Sequence, residues 1–163
     1  MITDKKKLED MAIKIENCLE KGDIYLATIY ALEEGHVERA MEIYEKAGWF
    51  SSAAHLAKES GLVKKAQELI DRQIERDEMS GNFGNAAIVA ELWGRSKKSK
   101  ELYAKCSKIY EEAGNFLFAG LDAKSAGLDE RAQKMYSKYE DYCAKEAGPP
   151  LNEFPLWFGF FSW

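Results

Sequence analysis

The sequence predicts an all-α chain built as an array of antiparallel helical hairpins. Three regularities predict it. First, nine glycines (Gly22, Gly35, Gly48, Gly61, Gly81, Gly94, Gly114, Gly127 and Gly148) cut the chain into helix-sized pieces. Their spacings are 13, 13, 13, 20, 13, 20, 13 and 21, so Gly61, Gly94 and Gly127 mark copies of a 33-residue unit. A period of that length is the mark of stacked helical pairs. Second, the fifth residue after each of the first eight glycines is small: Ala27, Ala40, Ala53, Ala66, Ala86, Ser99, Ala119 and Ala132. A small side chain at a fixed point in every helix lets its neighbour approach closely. Third, the ninth residue alternates between small (Ala31, Ala57, Ala90, Ala123) and large (Tyr44, Ile70, Tyr103, Tyr136). Two kinds of helix therefore take turns, a longer A helix and a shorter, alanine-rich B helix.

The elements follow in order. Residues 1–148 divide into hairpins 3–35, 36–61, 62–94 and 95–127, then a lone A helix, 128–147, as a terminal cap. That makes about nine helices. Within 36–48, Val37, Ala40, Met41, Tyr44 and Ala47 recur at three- and four-residue steps, the helical period. The closing glycine of each piece suits the left-handed residue that ends a helix. The A helix of 36–48 is seven residues short. Seven residues are about two turns, so its buried face keeps register while its surface is notched. Three B helices open on an aromatic, Phe50, Phe83 and Phe116, expected to tuck under the hairpin turn. Asn82 and Asn115 stand at N-cap positions.

Composition narrows the function classes. An apolar fraction of 46% in 163 residues suits one folded domain or short solenoid. The net charge of −5, with both signs interleaved, disfavours nucleic acid, whose phosphates need a basic surface. The Lys5, Lys6, Lys7 run reads as a solvated first turn. Cys18, Cys106 and Cys143 are odd in number and widely spaced, which points to free thiols in a reducing compartment. No secretory signal or membrane-length apolar run is read in the chain, so a cytoplasmic location is expected. The excess of Lys and Glu over Arg, Asp and Gln points towards a thermophile.

No constellation for chemistry is found. His36 begins a helix, and His55 has no partner at a metal-ligand spacing. Phosphate-loop, dinucleotide and nucleophile-elbow patterns are missing. The paired acids Glu33-Glu34, Glu111-Glu112 and Asp129-Glu130 suit solvated helix faces. No catalytic, cofactor-binding or metal-ligating residue is assigned, and a non-enzyme is expected.

The run G-x-x-x-x-A-x-x-x-Y-x-x-A at 35–47 resembles the second half of a tetratricopeptide repeat, as does Y-x-x-x-G-x-F-x-x-A at 110–119. The resemblance covers most of residues 3–147 by pattern. The unit is 33 or 26 residues rather than the family's own length, and the family's Trp, Leu-Gly pair and closing Pro are missing. The chain is more similar to the looser solenoids of the soluble NSF attachment proteins and vesicle-coat arms. The resemblance implies a right-handed superhelix whose A helices line a groove that binds protein or peptide. Arg72, Arg76, Tyr103, Tyr110, Tyr139 and Tyr142 on A helices are the candidate partner contacts, since aromatic and Arg side chains anchor interfaces.

Residues 149–163 form a different segment. Gly148-Pro149-Pro150 ends the last helix. Phe154, Trp157, Phe158, Phe160, Phe161 and Trp163 follow within ten residues. Fully exposed, they would leave on the order of 1,000 Å² of apolar surface in water, so a buried resting place is expected. One reading has them cap the last A helix over Met135, Tyr136, Tyr139, Tyr142 and Cys143. A second has the tail fill its own groove or join a second copy, giving an autoinhibited or self-assembling module. A third is a ligand-mimicking peptide joined to the solenoid. Glu153 and the terminal carboxylate disfavour a membrane surface.

Overall fold

A computed structural model describes residues 2–146, with side chains described for 9–145. The expectations placed on residues 149–163 lie outside these. Among the described residues there are nine helices and no strand. They are α1 (Ile2–Glu20), α2 (Ile24–Glu33), α3 (Val37–Lys46), α4 (Phe50–Glu59), α5 (Val63–Met79), α6 (Phe83–Leu92), α7 (Ser96–Glu112), α8 (Phe116–Ser125) and α9 (Asp129–Glu146). The chain divides after Gly94 into two compact units. The first holds α1–α6 and the second α7–α9.

One junction recurs between helices. All eight described junction glycines have φ between +72° and +78°. This is the left-handed region, where a Cβ is strained. The glycine N–H bonds back three residues, as Gly22 does to the Leu19 carbonyl at 3.0 Å. The following N–H bonds back five, as from Asp23 to Cys18 at 2.8 Å and from Trp49 to Tyr44 at 2.8 Å. Together they satisfy the orphan carbonyls of the finished helix in a Schellman turn. That following residue then accepts the first bond of the next helix from the small residue four places on, as the Trp49 carbonyl does from Ala53 at 3.0 Å. Two residues thus end one helix and start another.

Packing follows from the small positions. Every one of the eight is buried, from 0% exposed at Ala27, Ala40, Ala53, Ala86 and Ala119 to 4% at Ser99. The B-helix alanines Ala31, Ala57, Ala90 and Ala123 are fully buried too. Within each unit, extensive helix contacts join sequence neighbours: α1 to α2 through to α5 with α6, then α7 with α8 and α8 with α9. In the first unit the larger buried side chains are Leu69, Ile70 and Ile74 of α5 with Met41 and Ile43 of α3. In the second, Leu102, Cys106 and Met135 fill the same role.

The shortened A helix is present: α3 has 10 residues where α5 and α7 have 17. Two sequence expectations need correction. Asn115 occupies the N-cap position of α8 but its side chain makes no capping bond, whereas Asn82 accepts from the Asn85 N–H at 3.4 Å and Asp23 from Leu26 at 3.0 Å. Met135 and Tyr136 do not belong to an open face of α9. Met135 is buried, and the Tyr136 ring lies against Gly120 of α8, where a Cβ would stand only 2.5 Å from Cε1.

Candidate functional site

The most ordered polar feature is a ladder between successive A helices. Glu45, three residues before its junction glycine, accepts from Lys65 Nζ at 2.9 Å and from Arg72 Nη1 at 2.8 Å. Glu111, at the same place in α7, accepts from Arg131 Nη2 and Lys138 Nζ, both at 2.7 Å. The two cations stand 4 and 11 residues after the preceding glycine in each case. One carboxylate at the end of an A helix is thus held by two cations, two turns apart, on the next. The hydrogen bond from Lys138, with the charges of Lys138, Arg131 and Lys134, lowers the Glu111 carboxyl pKa below its ordinary range.

The aromatics that open the B helices complete this scaffold. Phe50 is half-buried at the start of α4. The Arg72 guanidinium lies 4.4 Å and that of Arg76 5.3 Å from its ring centre. Arg76 also donates to the Gly48 carbonyl at the α3–α4 turn and to Gln73 Oε1 at 3.0 Å. Gln73 in turn donates to the buried Asp77 carboxylate at 2.8 Å, which also accepts from Asn85 of α6. Lys138 stands 5.3 Å from the ring centre of Phe116, so the ammonium that binds Glu111 also covers this aromatic.

The residues proposed as partner anchors therefore have varied surroundings. Arg72 and Arg76 are exposed, yet Arg72 ties the last turn of α3 to α5 and Arg76 the α3–α4 turn. Tyr103 is half-buried. Tyr110 is exposed, with its ring 5.6 Å from that of Phe118. Tyr139 and Tyr142 are exposed on α9, and a hydrogen bond with Cys143 raises the pKa of the Tyr139 phenol. Tyr110, Tyr139 and Tyr142 are thus solvent-facing rings within one unit. Of the histidines, His36 is exposed at the start of α3, and His55 sets its ring 5.2 Å from Trp93.

The described cysteines are free. Burial, with the Asp122 charge, pushes the Cys106 thiol up to about 11, and burial also raises the Asp122 carboxyl pKa. Among the described residues no group of three or more His, Cys, Asp or Glu is placed to hold a metal ion. No described helix is long and apolar enough to cross a membrane.

Two cavities lie along α1 and α3. One, of about 330 Å³, is lined by Met11, Ala12, Ile15 and Glu16 of α1 with Glu34, His36 and Arg39 at the start of the shortened α3. The other, of about 150 Å³, is lined by Leu19, Ile24, Arg39, Ile43, Lys46 and Ala47. Sequence reasoning missed both these cavities and the charge ladder. The signal was available: counting from the same glycines, positions 4 and 11 of every A helix from α3 onward are Lys or Arg.

No protein-family model, curated protein or solved structure matches the chain. The fold itself supplies the class: an all-α chain of packed neighbouring helices, compatible with a helical repeat.

Proposed function

We propose that the chain is a non-catalytic scaffold that binds a protein or peptide along its A helices, arranged as a right-handed superhelix of tetratricopeptide type. The observation that carries this reading is the uniform junction. Within each unit, helices joined by the same turn present equivalent side chains at regular intervals of sequence, a spacing suited to an extended polypeptide. The ladder supports it, because holding successive A helices together leaves a neighbouring stripe of each to solvent. On α5 that stripe includes Lys64, Glu68 and Glu75, all exposed.

The experiment is a photo-crosslinking amino acid at Glu68 or Lys108 on A helices, against Ile88 or Leu121 on B helices, all exposed positions. The reading expects adducts to one polypeptide from both A positions. Adducts from the B positions alone, or from none, overturn it. Charge reversal of Arg72 and Arg76 is a poorer probe, since it would also break the Glu45 pair and the Gly48 contact.

A further inference from the structure

Beside the rungs at Glu45 and Glu111, the corresponding place at the end of α1 lacks its carboxylate. Arg39 and Lys46 stand 4 and 11 residues after Gly35, the places held by Lys65 and Arg72 on α5 and by Arg131 and Lys138 on α9. The residue that should supply the carboxylate, three before Gly22, is Leu19. At the corresponding place Glu45 and Glu111 each hold both cations of the next A helix at 2.7–2.9 Å. Here Leu19, Arg39 and Lys46 instead line the cavity of about 150 Å³. Among the described residues Lys46 makes no ion pair, and Arg39 pairs only with Glu42 of its own helix, donating to its carboxylate at 3.4 Å.

We propose that this gap is a docking subsite for an acidic peptide segment, one carboxylate of which completes the rung while an adjacent apolar side chain enters the cavity. The inference rests on the scaffold reading and names the partner's chemistry. Three observations select this occupant. The cation pair is the one that takes a glutamate elsewhere in the same molecule. The rest of that lining is Leu19, Ile24, Ile43 and Ala47, with no acid among them, so it accepts an apolar group beside an anion. At about 150 Å³ it is the smaller of the two cavities, with room for a side chain rather than a whole chain segment. The larger cavity continues the strip, since Arg39 lines both, but its Glu16 and Glu34 would repel a second anion placed there. An acidic chain is therefore held at the Leu19 end.

The test uses the full chain and a short fluorescein-labelled peptide of alternating leucine and glutamate, followed by anisotropy. A second peptide carries glutamine for glutamate. Wild type should bind the acidic peptide in a salt-sensitive manner and the glutamine peptide roughly tenfold more weakly. Arg39→Gln with Lys46→Gln should lose a similar factor while keeping the helical spectrum. Leu19→Glu is the decisive variant: it supplies the missing carboxylate from within, so it should abolish binding while keeping the helical spectrum, even though Leu19 gives up its packing against the Ile15 and Cys18 core. Equal binding by wild type and Leu19→Glu, equal binding of the two peptides, or no binding by wild type overturns the subsite. Those results leave the Glu68 and Lys108 crosslinks to decide the scaffold reading separately.

Discussion

Two helical glycines that look alike in sequence should respond oppositely to substitution. Gly84, in the first turn of α6, has nothing within 4 Å of where a Cβ would point. Gly84→Ala should stabilise by about 0.5 kcal/mol, because alanine loses less backbone entropy in a helix. At Gly120 a Cβ would lie 2.5 and 2.7 Å from Tyr136 Cε1 and Cδ1. The same helix-propensity gain is outweighed there by overpacking, which costs about 1–3 kcal/mol. Gly120→Ala should be net destabilising by about 1–2 kcal/mol in urea melts. A Gly120→Ala melt at or above wild type would show that the ring swings away freely. Asp122 sets a second residue-scale test. Burial raises its folded pKa, so ionisation of this carboxyl opposes folding as pH rises past the ordinary aspartate range. Asp122→Asn should therefore raise the melting temperature at pH 7, an advantage that disappears as pH falls below that range. It should also bring the Cys106 thiol below about 11, since the Asp122 charge helps to hold it there. An alkylation-rate profile against pH reads that shift directly.

At the scale of the element, the ladder is the feature whose removal is informative. Glu111 is held below the ordinary carboxylate range, so its contribution is present above the unfolded glutamate pKa and lost as pH falls through the folded value. Glu111→Gln should cost about 1 kcal/mol at pH 7 and nothing at strongly acid pH, where both chains carry a neutral side chain. Parallel melting curves at both pH values would overturn that assignment. The helices themselves were legible because helix ends have strict chemistry. Only glycine takes φ near +75° cheaply, and the buried alanines five residues on are dictated by close helix approach. The shortened α3 was legible for the same reason. What was not legible is how polar side chains divide between holding the array and facing a partner. Arg72 and Arg76 read as surface anchors because their acceptors, Glu45 and the Gly48 carbonyl, lie 27 and 28 residues away, beyond any local pattern. Asn115 has the right residue type for a cap, yet its backbone turn is closed by the Tyr110 carbonyl without help from its side chain. The missing carboxylate at Leu19 became visible only once the rungs at Glu45 and Glu111 defined what should stand there.

For the molecule as a whole, each unit is held chiefly by contacts between helices adjacent in sequence. Stability in such an array is close to a sum of single-helix and nearest-neighbour terms, so damage stays local instead of spreading through one cooperative core. Hydrogen exchange can test this with the Gly120→Ala variant, because its strain falls on the α8–α9 contact. Under conditions where exchange reports the opening equilibrium, a loss of 1–2 kcal/mol accelerates amide exchange by roughly 5- to 30-fold. That acceleration should appear across α8 and α9 and be small in α2, α3 and α4 of the first unit. A uniform acceleration over all nine helices would mean that the chain opens only as one body. The same locality bears on the incomplete rung at Leu19. A repeat protein that distributes its stability can leave one rung without its carboxylate and keep the rungs at Glu45 and Glu111 intact. The rung at Glu111, in the second unit, should accordingly be insensitive to peptide added at Arg39 and Lys46 in the first. Melting curves of Glu111→Gln with and without the acidic peptide should show the same shift as wild type, within about 0.5 kcal/mol, as expected of independent sites.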